Sequence, residues 1–118
     1  MINGRKIKFG AFVRHERENK EIGLRQMAKK IGVSPTYLSK IERDEFSPPA
    51  EDKVRKIANI LGSDVDELLA LAGKVSSDLS EIIRERPRQL AALLRTTKGM
   101  SADDVTRLAR EAKKAKEK

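Results

Sequence analysis

Residues 22–43 read IGLRQMAKKIGVSPTYLSKIER. Met27, Ala28 and Ile31 fall on one face of a helix spanning about Leu24–Ile31. Gly32 stops that helix, because glycine takes the left-handed geometry that closes a helix C-terminus. Ser34 restarts the chain as an N-cap, and Pro35 suits the first helical position, where no amide donor is needed. The helix that follows carries Leu38 and Ile41 inward and ends near Arg43. Ala28 is small where the two helices must approach, and Val33 plugs the corner between them.

Helical periodicity continues on both sides, and no strand-like alternation is sustained. Upstream, Phe9, Phe12 and Val13 predict a helix from about Arg5 to Asn19, followed by a polar turn over Lys20–Gly23. Downstream, Ser47, Pro48 and Pro49 make Asp44–Pro49 a loop. Val54, Ile57, Ala58 and Leu61 then predict a helix from about Ala50 to Leu61, ended by Gly62. Asp64 and Glu67 are spaced as a capping box for a short helix carrying Leu68, Leu69 and Leu71, which Gly73 closes.

Beyond Lys74 the composition changes. Leu79, Ile82 and Ile83 form one apolar stripe, interrupted at Pro87, with Arg86 pushed toward extended geometry. Leu90, Leu93 and Leu94 form a second stripe, broken at Lys98-Gly99. Ser101 caps a last helix, whose first turn holds Asp103 and Asp104 and whose apolar face holds Val105, Leu108 and Ala112. The terminal AKKAKEK is expected to fray. The expected architecture is all-α: five helices over residues 1–73 and a helical extension over 74–118.

The chain has 118 residues, 38% hydrophobic and 37% charged, with 3% aromatics. Its core must therefore be built mainly from Ile, Leu, Val and Ala, and oligomerisation would help so thin a core. The net charge of +8 attracts polyanions, nucleic acid being the commonest, although a solvated basic tail would give the same sum. Its distribution is uneven. Residues 1–33 carry a net +6, residues 34–73 a net −3, and residues 74–118 a net +5.

Several classes are excluded or unsupported. With no cysteine there is no disulfide, thiolate zinc site or cysteine nucleophile, and a single histidine, His15, makes no cluster. No phosphate-cradling glycine loop and no metal constellation is visible, so neither enzymatic activity nor a cofactor is expected. No stretch approaches a membrane span, and MINGRKIKFG holds no signal-peptide-like apolar run, so a cytoplasmic protein without membrane association is expected.

Two short helices joined by Gly32-Val33-Ser34 have the physical make-up of a helix-turn-helix. The stretch from about Phe9 to Leu69 resembles the Cro/cI repressor type, also called XRE. The resemblance is carried by Ala28, Gly32-Val33-Ser34, Leu38-Ser39, Ile41-Glu42-Arg43, Pro48, Ile57-Ala58, Leu61 and Leu68-Leu69. It implies a five-helix, lambda-repressor-like DNA-binding domain with the helix after Ser34 in the major groove. Base readout would then fall to Pro35, Thr36, Tyr37, Ser39 and Lys40. Tyr37 is equally readable as a half-buried helix residue. The resemblance also pairs Glu42 with Arg17 as a structural ion pair that orients Arg17 toward the DNA backbone.

Other backbone contacts would come from Arg14, Arg25, Gln26, Ser34 and Arg43. Lys29 and Lys30 are weaker candidates, read first as solvated charges. Two positions depart from the family pattern. Gly23-Leu24 stands where members often carry a Ser or Thr cap followed by Gln, so that side-chain contact is missing. Asp44 follows Arg43 where Gly is common, and Asp tolerates left-handed backbone better than most residues.

The expected function is a sequence-specific, double-stranded DNA-binding transcriptional regulator, a dimeric repressor on a palindromic operator. Dimerisation is assigned to Leu79, Ile82, Ile83, Leu90, Leu93, Leu94, Val105 and Leu108. These stripes remain to be buried after the first domain has its own core, and helices this short are marginal alone. A fold-back of this region onto its own domain is the competing arrangement. The resemblance also admits an autoregulating antitoxin that binds a toxin protein, or a repressor cut by a regulatory protease.

Overall fold

The computed structural model describes residues 7–117. They form eight helices: α1 Phe9–Asn19, α2 Leu24–Ile31, α3 Pro35–Glu42, α4 Glu51–Leu61, α5 Val65–Leu71, α6 Ser77–Glu85, α7 Pro87–Thr96 and α8 Ala102–Lys116. The described residues divide into two compact units, one ending at Ser77 and one beginning at Asp78.

The first unit is built around one apolar cluster. Phe9, Phe12 and Val13 of α1, Met27, Ala28 and Ile31 of α2, Leu38 and Ile41 of α3, Val54, Ile57, Ala58 and Leu61 of α4, and Leu68 and Leu69 of α5 are all buried. These are the positions that the 3.6-residue period places inward. Val33 and Tyr37 pack on the cluster's edge.

Local chemistry sets most helix ends. Gly32 closes α2 at φ +78°, with the Val33 amide donating to the Ala28 carbonyl at 3.0 Å. Ser34 caps α3, its Oγ accepting from the Tyr37 amide at 3.0 Å, and Pro35 occupies the first helical position. Gly62 closes α4 at φ +69°. Asp64 caps α5 by accepting from the Glu67 amide at 3.0 Å.

Helix α1 begins at Phe9, later than the expected start near Arg5; Arg5 and Lys6 lie outside the described residues. Its N-terminus has no cap from its own neighbours. The cap comes from Asp44, whose carboxylate accepts from the amides of Gly10 at 2.8 Å and Ala11 at 3.2 Å. Asp44 sits at φ +57°, the left-handed geometry anticipated for it. A carboxylate at a helix N-terminus also opposes the helix dipole.

The first unit runs to Ser77, four residues past the expected boundary at Gly73. Glu51 and Arg55 of α4 hold this stretch. The Ser77 amide donates to Glu51 Oε1 at 3.1 Å, and Arg55 Nη2 donates to Ser76 Oγ at 2.7 Å. Arg55 and Ser77 together lower the Glu51 pKa, the Arg55 hydrogen bond contributing most.

In the second unit, Pro87 opens α7 as a first-turn proline, and Ser101 caps α8 by accepting from the Asp104 amide at 3.1 Å. The expected fraying of AKKAKEK is not found over its described residues. Helix α8 continues to Lys116, with Lys113, Lys114 and Lys116 in a last turn where cations suit the dipole. No side chain of α6, α7 or α8 is buried. Leu79, Ile82, Leu93, Leu94 and Val105 are 40–53% exposed, and Ile83, Leu90 and Leu108 are half-buried.

Candidate nucleic-acid interface

The site is organised around Arg17 and Glu42. Arg17 Nε and Nη2 donate to the two Glu42 carboxylate oxygens at 2.7 and 2.9 Å. Arg17 Nη1 donates to the Ile22 carbonyl at 2.8 Å, which ties down the turn between α1 and α2. The residues are only 8% and 4% exposed. The Glu42 hydrogen bond raises the Arg17 pKa against the opposing effect of burial. This is a two-pronged, desolvated pair linking α1 to α3. Arg17 thus forms the structural ion pair assigned to it. Three of its five N–H donors are used inside the protein, and two remain for the DNA-backbone contact also assigned to it.

Held in this way, α3 presents one face outward. Leu38, Ile41 and Glu42 are buried, whereas Thr36 is exposed and Pro35, Tyr37, Ser39 and Lys40 are half-exposed. The five residues assigned to base readout thus share the outer side of a short, rigidly anchored helix. Tyr37 packs on the core edge, as its reading as a half-buried helix residue expects, and it remains partly accessible.

A cleft of about 210 Å³ lies beside this face, lined by Arg14, Arg17, Leu24, Ser39, Glu42 and Arg43. Arg14 and Arg43 are its exposed cations. Each pairs with a nearby acid, Arg14 with Glu18 at 3.3 Å and Arg43 with Glu45 at 3.2 Å. Such exposed pairs are worth little and give way readily to a stronger anion. Leu24, the departure from the family pattern, forms an apolar wall of the cleft. On α2, Arg25 and Gln26 are exposed. Gly23 has no side chain to cap α2; instead its amide donates to Gln26 Oε1 at 3.4 Å. Gln26 therefore closes the helix start with its carbonyl end and leaves its NH₂ end outward.

Sequence reasoning missed Phe46. It lies in the loop after α3, is 44% exposed, and its ring centroid is 5.8 Å from that of Tyr37. Lys40 Nζ lies 5.3 Å from the same centroid. The amides of Glu45 and Phe46 both donate to the Lys40 carbonyl, at 2.9 and 3.3 Å, and this folds the loop back onto the helix. Helical periodicity stops at Arg43, so no spacing rule connects residue 46 to residues 37 and 40.

Five helices around one core, with a two-helix turn at Gly32-Val33-Ser34 and an anchored outer face, define the helix-turn-helix architecture. Residues 10–74, more than half the chain, match the family described as "Helix-turn-helix domain". The chain belongs to this family, in its Cro/cI (XRE) type.

Among its relatives, an uncharacterized HTH-type transcriptional regulator of Mycobacterium tuberculosis (strain ATCC 25618 / H37Rv) is 33% identical over 76 residues, 64% of this chain and 54% of that protein. The ImmF control region 10 kDa protein of Bacillus phage phi105 is 34% identical over 68 residues, 58% of this chain and 72% of that one. The chain thus spans about half the length of the mycobacterial relative. The N-terminal DNA binding domain of SinR from Bacillus subtilis is 33% identical, with a TM-score of 0.47, over 52% of this chain and 88% of that one.

Proposed function

We propose that this protein is a sequence-specific regulator of transcription that reads double-stranded DNA with α3 and acts as a dimeric repressor on a palindromic operator. The observation that carries the reading is the outer face of α3. Thr36, Tyr37, Ser39 and Lys40 stand accessible on a helix whose opposite face is locked by Leu38, Ile41 and the Arg17–Glu42 pair. Base readout needs side chains presented on a fixed frame, because hydrogen bonds to base edges discriminate only when their geometry is set. The exposed Arg14, Arg25 and Arg43, together with Gln26, Ser34 and the amides at the start of α2, flank that face and would meet phosphates. The net +6 of residues 1–33, the stretch that holds α1 and α2, supplies attraction, whereas residues 34–73, which hold α3, carry a net −3. The relative named as an HTH-type transcriptional regulator also supports this reading. Such a regulator works where the DNA is, in the cytoplasm. No helix among the described residues is long and apolar enough to cross a membrane.

Thr36→Ala and Lys40→Ala test the readout. Each should cost about 1–3 kcal/mol on the preferred site and much less on random DNA. The measurement is the ratio of the two dissociation constants at fixed salt. Equal weakening on both DNAs would mean that these side chains touch only phosphates.

The second unit is assigned to the dimer. Its apolar stripes lie on one face each of α6, α7 and α8, and none of their residues is buried within the chain. A second copy offers matching stripes, and a twofold pair would place two α3 helices about one DNA turn apart. A chain ending at Ser77 keeps the bonds to Glu51 and Arg55, and should be folded, monomeric and weak on the full operator. Sedimentation of both forms at equal concentration checks this. A shortened chain that dimerises as well as the full one would move the interface into the first five helices.

A further inference from the structure

We infer that Phe46, outside the helix-turn-helix itself, is a positioning residue that sets the DNA specificity of Lys40. The inference rests on the DNA-reading function proposed above and assigns within it a determinant beyond α3. Tyr37 and Lys40 are three residues apart on α3 and so share one face. The loop after the helix returns to that face, closed by the Glu45 and Phe46 amides on the Lys40 carbonyl. It sets the Phe46 ring against Tyr37 and beneath the Lys40 ammonium.

A lysine carries four rotatable bonds and loses their freedom when it must hold one position over a base pair. An aromatic face attracts the ammonium and confines it beforehand. The three N–H donors of that ammonium are not consumed by the ring as a salt bridge would consume them, so they stay available to guanine acceptors. Phe46 also braces the Tyr37 ring, the other large side chain on the reading face. Its own exposure would be a liability in a loop with no such duty, whereas here the ring orders two readers before DNA arrives.

The test compares the 118-residue chain with its Phe46→Leu, Phe46→Tyr and Lys40→Ala variants. The probe is the site enriched by the wild-type chain from random duplexes, alongside copies of it substituted one base pair at a time. Phe46→Leu keeps apolar bulk but removes the π face. It should reduce discrimination at the base pair that Lys40 reads by about two- to fivefold. Phe46→Tyr should restore it, and the thermal midpoint of Phe46→Leu should match wild type. In a Lys40→Ala background, Phe46→Leu should change discrimination at that base pair no further. Wild-type discrimination in Phe46→Leu, or an undiminished effect without Lys40, overturns the inference while leaving DNA reading intact. A wild-type chain that enriches no sequence removes the DNA reading first, and the inference with it.

Discussion

Replacing Glu42 with alanine is expected to cost about 3–5 kcal/mol of folding stability, the penalty for leaving a buried charge without its partner. Arg17 would keep its bond to the Ile22 carbonyl but lose two charge-assisted bonds in a site where it is only 8% exposed. Arg17→Ala in the Glu42→Ala background should therefore cost little more, because the uncompensated charge is gone. Denaturant unfolding of the two single variants, the double variant and the wild type closes the cycle. Strongly non-additive losses are expected, and fully additive ones would show that the two side chains act independently. DNA binding should fall with the same variants, since this pair holds α3 against the rest of the domain.

Gly10→Ala is the second large loss, expected at about 2–4 kcal/mol. A Cβ built on Gly10 would lie 2.0 Å from the Ile41 carbonyl oxygen and 2.7 Å from Asp44 Oδ1. The first of these is backbone at the end of α3, so no side-chain rotation relieves it. Helix α1 must back away, and the Asp44 cap at its N-terminus is then stretched. Gly62→Ala makes a useful contrast. It has open space around the new Cβ and only the cost of left-handed backbone at φ +69°, about 1 kcal/mol. Chemical denaturation should rank the two variants in that order. A Gly10→Ala protein no less stable than Gly62→Ala would mean that α1 and α3 are not packed this closely.

What could be read from the sequence was what local chemistry decides. Gly32, Ser34-Pro35, Gly62, Asp64 and Ser101 each act through their own or adjacent turns, so their effect on helix ends is visible in one dimension. The inward residues followed from period alone. Features built by residues far apart were not legible. The start of α1 depends on a cap 34 positions away, and the end of the first unit depends on Glu51 reaching Ser77. The Arg17–Glu42 pairing came through family resemblance, and no spacing rule would have produced it or the accompanying bond to Ile22. Phe46 was missed because a loop's return path has no periodicity. For α6–α8 the apolar stripes were plain, but periodicity marks an apolar face without saying what covers it.

Selection of bound duplexes from a random pool by the 118-residue chain asks whether α3 reads bases. An exposed, anchored α3 face carried twice in a twofold dimer predicts enrichment of an inverted repeat, with half-site centres about 10–10.5 base pairs apart or a multiple of that. A bound pool with no sequence preference over its input would rule out a base-reading α3, because its outer face would then distinguish no bases.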